Sequence, residues 1–140
     1  MLDKNEKKRW LKEYCHMEIE RRRLEDEREE TLVRMEHLGA QVIDGMPRAT
    51  GRQGGIEGLM DEYIKLDEKL IARQMEIAKR KNEIYDVINT LDSPDQRVVI
   101  GYKYLDNLEW IDIAEKMGYC KKYVQNIHAM AIEKIEIKKS

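Results

Sequence analysis

Two long stretches of the chain, about 3–38 and 56–91, place apolar residues at alternating steps of three and four. This spacing puts the apolar side chains on one face of an α-helix. The first stretch contains neither Gly nor Pro and is rich in Glu, Arg, Lys and Leu, which are good helix formers. Helices of about 35 residues each would be roughly 50 Å long at 1.5 Å per residue. The sequence therefore predicts two long helices of similar length.

The two apolar faces differ in quality. The face of the first helix weakens in its middle, and it comprises Trp10, Tyr14, Met17, Arg21, Leu24, Arg28, Thr31, Met35 and Leu38. The face of the second helix is more regular, and it comprises Ile56, Leu59, Tyr63, Leu66, Leu70, Arg73, Ile77, Arg80, Ile84, Val87 and Leu91. The charges between 18 and 30 are expected to form a solvated face with ion pairs four residues apart. A nucleic-acid patch at the three arginines 21–23 is disfavoured because acidic residues surround them.

A glycine-rich segment, residues 39–55, separates the two stretches and predicts a loop. Its roughly 17 residues exceed the 2 to 8 that commonly join helices in bundles. We expect the two helices to form an antiparallel hairpin, a coiled-coil arm that occupies residues 1–92. Because such a hairpin buries only one stripe per helix, the arm is expected to form a homodimer. Arg48 and Arg52 leave open whether the loop also docks on a partner or a phosphate backbone.

The composition restricts the class of protein. Charged residues are 39% of the chain, aromatic residues are 6%, and the formal net charge is −2, so any DNA contact must come from a local patch. Cys15 and Cys120 are too few for a disulfide framework and fit a reducing cytoplasm. The longest uncharged run, residues 123–132, is about half of a membrane span, and the first residues lack the apolar segment of a signal peptide. These features predict a soluble, cytoplasmic protein without membrane contact.

Catalytic and metal-binding patterns are not found in the sequence. His16 follows Cys15, and His128 lies eight residues after Cys120, but neither pair has a partner pair at zinc-ligand spacing. The glycines at 54 and 55 are not followed by the Gly-Lys-Ser/Thr of a phosphate loop. No set of nucleophile, base and orienting residue is apparent. We therefore expect no enzymatic activity, no metal and no cofactor.

The last third of the chain, residues 93–140, begins with a helix-start signal. Ser93 is a favourable N-cap, Pro94 suits the first helical position, and Gln96 completes a capping box. The helix is expected to run to about Leu105, after which Asn107 can adopt the left-handed geometry of a turn.

Two short helices, about 110–117 and 121–135, are predicted to follow. Small Ala114, then Gly118, then β-branched Val124 have the spacing of a helix-turn-helix, in which two helices cross closely at a tight turn. Ile127 completes the core of this motif. Residues 93–140 are thus predicted to form a helix-turn-helix domain of three or four helices, within an all-α protein.

The second helix of the motif carries residues suited to reading DNA. With Val124, Ile127, Ala131 and Ile135 facing inward, its outer positions are Lys121, Lys122, Gln125, Asn126 and Ala129. Gln and Asn can each pair with adenine through two hydrogen bonds, Lys can reach guanine or phosphate, and Ala can contact a thymine methyl. Tyr123 and His128 flank this face and are candidates for phosphate contact. The alternative for each is an ordinary solvent-exposed position on a helix.

Residues 93–135 resemble region 4 of sigma-70-type factors. The resembling pieces are P-D-Q-R with the apolar pair after it, Y-K-Y-L-D-N-L, D-I-A-E-K-M-G-Y, and V-Q-N-I with a trailing A-I-E-K-I. The sequence departs from that pattern at Asn107, where the family usually has Gly, and at Cys120, where it usually has a capping Ser or Thr. The resemblance implies that residues 84–91 pack on the motif. The combination of this sigma-like segment with a charged helical arm is similar to transcriptional regulators of Gram-positive phages and prophages, the ArpU and RinA type.

These features predict a sequence-specific transcriptional regulator, encoded by a phage or prophage, that binds double-stranded DNA as a homodimer. RNA polymerase is a further candidate partner. One alternative is a DNA-packaging component that resembles small terminase subunits, although those usually place the DNA-binding part first. Another alternative is a helical adaptor that binds only proteins.

Overall fold

The computed structural model describes residues 2–43 and 53–138. All regular elements in these two ranges are helical, which confirms the all-α class. Helix α1 spans Lys4–Ile43 and α2 spans Gln53–Asn89. Helix α3, Pro94–Ile100, runs directly into a π-helical segment, Gly101–Leu105. Two shorter helices follow, α4 (Trp110–Met117) and α5 (Lys121–Lys134).

Both long helices extend further into the glycine-rich segment than the sequence predicts. Helix α1 continues through Gly39 to Ile43, and α2 begins at Gln53, so the predicted boundaries at 39 and 55 are wrong. A single Gly costs a helix only about 1 kcal/mol relative to Ala, and the residues after Gly39 can continue the hydrogen-bond ladder. The remainder of the predicted loop, including Arg48 and Arg52, lies outside the described residues.

The chain divides into two compact units. The terminal unit comprises Met1–Glu18 and Ile77–Ser140, and the central unit comprises Ile19–Glu76. Helices α1 and α2 each contribute to both units, so the division falls within these helices. It therefore differs from the domain boundary at residue 92 that the sequence indicates.

In the central unit, the segments of α1 and α2 run antiparallel. Arg73 lies 3.1 Å from the carboxylate of Glu20, and Arg28 lies 2.7 Å from that of Asp67. The partner on α2 thus moves toward the start of α2 as the chain advances along α1. The buried residues of this unit are Thr31, Leu66 and Leu70. The expected ion pairs four residues apart are present on α1, between Arg21 and Glu25, Arg23 and Glu27, and Arg34 and Glu30.

The terminal unit contains a larger core. The C-terminal turns of α2 enter this core beside α5, as the resemblance to region 4 implies. The core unites Leu11 and Tyr14 of α1 with Ile77, Ile84, Val87, Ile88, Leu91, Ile100, Tyr104, Ala131, Ile132 and Ile135. Ile137 packs against it, so the residues after α5 contribute apolar contacts.

The start of α3 has the predicted cap. The Ser93 side chain accepts a hydrogen bond from the Gln96 backbone N–H at 3.4 Å, and Pro94 occupies the first turn. The reciprocal bond of a capping box is absent, since the buried Oε1 of Gln96 has no hydrogen-bond partner among the described residues. Asn107 adopts a positive φ of 54°, as predicted for the turn before α4.

Candidate nucleic-acid interface

The turn between α4 and α5 is built around Gly118. This residue has φ 71° and ψ 27°, the left-handed conformation that glycine adopts without a Cβ clash. Its backbone N–H donates to the carbonyls of Ala114 and Glu115, and the Tyr119 N–H donates to the Ala114 carbonyl at 3.0 Å. These bonds end α4 and direct the chain into α5 within three residues.

Three of the four residues predicted as the motif core lie in one buried cluster. Ala114, Val124 and Ile127 belong to one buried cluster with Val99 and Ile113. Val124 is fully buried, and so are Ala131 further along the same face of α5 and Ile135, which directly follows the helix. The inner face of α5 is therefore fixed by packing against α3 and α4.

The opposite face of α5 is open to solvent. Lys121, Lys122, Tyr123, Asn126 and Ala129 are exposed, and Gln125 is partly exposed. Three exposed residues of α5 were absent from the predicted set: Met130, which is 53% exposed, Glu133, whose carboxylate lies 2.9 Å from the ammonium of Lys4, and Lys134. Six of the seven predicted contact residues thus have accessible side chains.

His128 is the exception and does not lie on the accessible face. Its side chain is buried, and its Nε2 lies 2.6 Å from the hydroxyl of Tyr104. Its ring also meets the edge of the Trp110 ring at 4.8 Å between centroids. Burial, together with the charges of Lys8, Lys103 and Lys12, lowers the pKa of His128 to about 4. A buried, neutral imidazole is not available to a phosphate.

The sequence pattern missed His128 because the inward face of α5 is wider than one stripe. Val124 and Ile127 define a stripe at steps of three and four, and His128 lies beside Val124 one turn later. The π-helical segment turns Tyr104 inward to meet it, and the hydrogen bond from Asp106 N–H to the Gly101 carbonyl at 3.1 Å belongs to that segment. The sequence contains no recognisable signal for this π-helical turn.

The start of α5 lacks a side-chain cap. Cys120 occupies the N-cap position and makes no side-chain hydrogen bond there, in agreement with the poor capping expected of Cys. Lys121 and Lys122 follow directly, and the ring of Tyr123 packs edge-on against Tyr119 at 4.8 Å between centroids. The N-terminal turn of α5 therefore combines unbonded backbone N–H groups with two exposed ammonium groups.

A further cation lies beside this turn. Lys103 places its ammonium 4.4 Å from the ring centroid of Trp110 and donates to the Leu108 carbonyl at 3.4 Å. Lys103, Trp110 and Lys121 line one shallow hollow together with Glu109 and Ile111. The hollow is thus mixed in charge, with two ammonium groups and one carboxylate.

Within residues 2–43 and 53–138, no three His, Cys, Asp or Glu side chains are grouped closely enough to hold a metal ion. No helix in the described part of the chain combines the length and apolar character that a membrane span requires.

Comparison with known proteins places the chain in a family. Residues 49–136, which include α2 to α5, match the family described as "Protein of unknown function (DUF1492)". Neither the curated proteins nor the solved structures include a significant match. Since the matched region covers more than half of the sequence, the chain belongs to the DUF1492 family of phage-associated proteins.

Proposed function

We propose that this protein is a sequence-specific transcriptional regulator that binds double-stranded DNA. In this proposal α4 and α5 form a helix-turn-helix, and α5 is the recognition helix that lies in the major groove. The association of the family with phages agrees with a regulator encoded by a phage or prophage. The resemblance to region 4 of sigma factors supports the same reading and makes RNA polymerase a candidate partner.

The contrast between the two faces of α5 is the observation that carries the proposal. Val124 and Ile127 hold the inner face rigidly, while Asn126 and Ala129 are exposed and Gln125 is partly exposed on the outer face. A helix fixed in this way presents amide side chains at a defined position. Amide groups of Asn and Gln match the donor and acceptor pair of adenine, and a methyl group matches thymine.

Phosphate contacts are assigned to the N-terminal turn of α5. The N-terminus of a helix favours anions because its first N–H groups are unpaired and its dipole is positive there. Lys121, Lys122 and exposed Tyr123 add two charges and a hydroxyl donor at the same place. With a total charge of −2, however, a single copy is expected to bind DNA with modest affinity.

A homodimer would supply the second recognition helix. In the central unit, α2 has a second apolar stripe that is exposed to solvent, formed by Met60, Ile64, Ile71 and Met75. Steps of four, seven and four keep these side chains on one face of the helix. We propose that this stripe of α2, the outer α2 stripe, is covered by a second copy of the chain.

Selection of bound sequences from a random duplex library tests the proposal. The full chain should enrich a common motif. Gln125→Ala and Asn126→Ala should each reduce discrimination between the selected site and an unrelated duplex by about 1 to 3 kcal/mol. Lys122→Ala should instead weaken binding to both duplexes and flatten the dependence on salt.

Lys69→Gln serves as the matched control, because Lys69 is an exposed helix residue in the central unit. It should leave both affinity and discrimination unchanged. The protein-only adaptor is favoured instead if the chain enriches no motif and the three α5 variants bind DNA as the wild type does. A ring-sized particle in sedimentation would favour the packaging component.

A further inference from the structure

The N-terminal part of α1 packs against the C-terminal half of α5. Leu11 of α1 is fully buried in the same core as Tyr104, Ala131 and Ile132. Lys8 and Lys12 stand one helical turn apart on either side of Leu11 in sequence. Lys8 is partly exposed and Lys12 is exposed, so both residues remain accessible to solvent beside the buried Leu11.

Hydrogen bonds at both ends hold this part of α1 in place. The Lys7 ammonium donates to the carbonyls of Ile132 and Glu133 at 3.0 and 3.2 Å, at the C-terminal end of α5. The Cys15 thiol donates to the Tyr104 carbonyl at 3.4 Å. Residues 7–15 therefore extend from the end of α5 to the π-helical segment, and Lys8 and Lys12 lie within that interval.

The cations of this segment differ in what neutralises them. Lys4 pairs with Glu133, and Lys7 bonds backbone carbonyls. Lys8 and Lys12 have no carboxylate within 4.0 Å in the described part of the chain. The charged groups that act on His128 are Lys8, Lys103 and Lys12, all of them positive. The ammonium groups of Lys8, Lys103 and Lys12 therefore all lie near enough to the buried imidazole to act on it, and Glu109 lies beside Lys103.

We propose that Lys8 and Lys12 of α1, together with Lys103, form a strip that contacts the phosphate backbone of DNA beside the groove that α5 reads. This inference rests on the proposed function and adds to it a DNA contact outside the helix-turn-helix. It also gives the N-terminal turns of α1 a direct role in binding, in addition to their packing in the core.

Salt dependence identifies phosphate contacts directly. Each ammonium–phosphate contact releases condensed counterions and contributes about −0.9 to the slope of log K against log salt. Loss of two contacts should therefore reduce the magnitude of the slope by about 1.8 and weaken binding tenfold or more near 0.1 M salt. Because phosphate contacts carry no sequence information, the weakening should be the same for every duplex.

The test compares the full wild-type chain with the double variant Lys8→Gln/Lys12→Gln on a fluorescent random-sequence duplex at about 50 to 200 mM salt. The expected result is the smaller slope, with an unchanged circular dichroism spectrum. The variant Lys8→Arg/Lys12→Arg should retain the wild-type slope because it keeps both charges.

The matched control is Lys65→Gln/Lys69→Gln, which removes two exposed lysines with the same spacing from the central unit. An equal loss of slope in this control would attribute the effect to net charge and overturn the strip. An unchanged slope in Lys8→Gln/Lys12→Gln, with DNA binding by the wild type intact, would overturn the strip and leave the proposed function standing. Failure of the wild type to bind any duplex at low salt would overturn both.

Discussion

The hydroxyl oxygen of Tyr104 lies 2.6 Å from Nε2 of His128, and both side chains are buried where the π-helical segment meets α5. The rings of Trp110 and His128 pack in an edge-to-face arrangement. The ammonium of Lys103 lies over the same Trp110 ring. This arrangement supports the inner side of the proposed recognition helix and holds His128 in its neutral form. Protonation of His128 would introduce an additional positive charge among Lys8, Lys12 and Lys103.

The first prediction concerns the stability of the fold at low pH. The pKa of His128 is about 4 in the folded chain, against about 6.5 for an unperturbed imidazole. The unfolded chain therefore binds more protons between these two values, so the free energy of unfolding falls as pH decreases from about 6.5 to about 4. The loss from this group is up to about 3 kcal/mol at 1.36 kcal/mol per pKa unit. Above pH 6.5 the contribution is constant.

Urea unfolding at a series of pH values measures this loss, and His128→Gln is the comparison. The variant should be less stable at neutral pH but should lack the part of the acid dependence that comes from His128. An NMR titration of the imidazole, assigned by its disappearance in His128→Gln, gives the pKa itself. A value near 6.5 would contradict the neutral buried state.

The second prediction concerns the turn before α5. Gly118 has φ 71°, and an added Cβ would meet no heavy atom within 4 Å, so the cost of Gly118→Ala should come from backbone strain alone. We expect about 1 to 2 kcal/mol of destabilisation, with Gly118→Asn intermediate. Gly101→Ala is the matched control, since Gly101 has a helical φ of −60° and equally open space. It should stabilise the fold by about 0.4 to 1 kcal/mol. Equal effects at the two positions would contradict the strain argument.

The third prediction concerns Cys120. This N-cap residue makes no side-chain hydrogen bond to the first turn of α5. The hydroxyl in Cys120→Ser should accept a hydrogen bond from a backbone N–H of that turn. We therefore expect Cys120→Ser to be more stable than Cys120→Ala by about 0.5 to 2 kcal/mol. Thermal unfolding under reducing conditions measures the difference. Identical stabilities of the Ser and Ala variants would show that the first turn of α5 does not use a side-chain cap.

Periodicity predicted much of this structure because most helices here bury a single stripe. The inner residues of α5, Val124 and Ile127, and the positive φ of Gly118 all follow from spacing and residue type. Lys122 and Asn126 were assigned to the outer face because they are not among the inward-facing positions of α5. Their role as DNA contacts stays a prediction.

The remaining features depend on contacts between distant parts of the chain. The burial of His128 requires Tyr104, which is 24 residues earlier, and the extension of α1 past Gly39 depends on the cooperativity of the whole helix. The approach of Lys8 to α5 depends on a core formed by the two ends of the sequence. Local periodicity does not contain this information.

The last prediction concerns the outer α2 stripe. Ile64 and Ile71 are 48% and 52% exposed in the single chain, and they are one heptad apart on the same face of α2. If a second copy covers this face, Ile64→Lys/Ile71→Lys places two charges in an apolar interface. Each buried charge should weaken the free energy of dimerisation by more than about 1.4 kcal/mol, which corresponds to a tenfold change. The two charges together should therefore raise the dissociation constant of the dimer about a hundredfold or more.

Sedimentation equilibrium of the full chain at micromolar concentration measures this shift. The matched control is Ile19→Lys/Val33→Lys, which changes two α1 residues of the central unit with similar exposures of 54% and 55%. The control should remain dimeric because Ile19 and Val33 are separated by mostly charged positions and form no continuous stripe. Monomeric wild type at micromolar concentration would contradict the dimer, and loss of the dimer in the control alone would move the interface from α2 to α1.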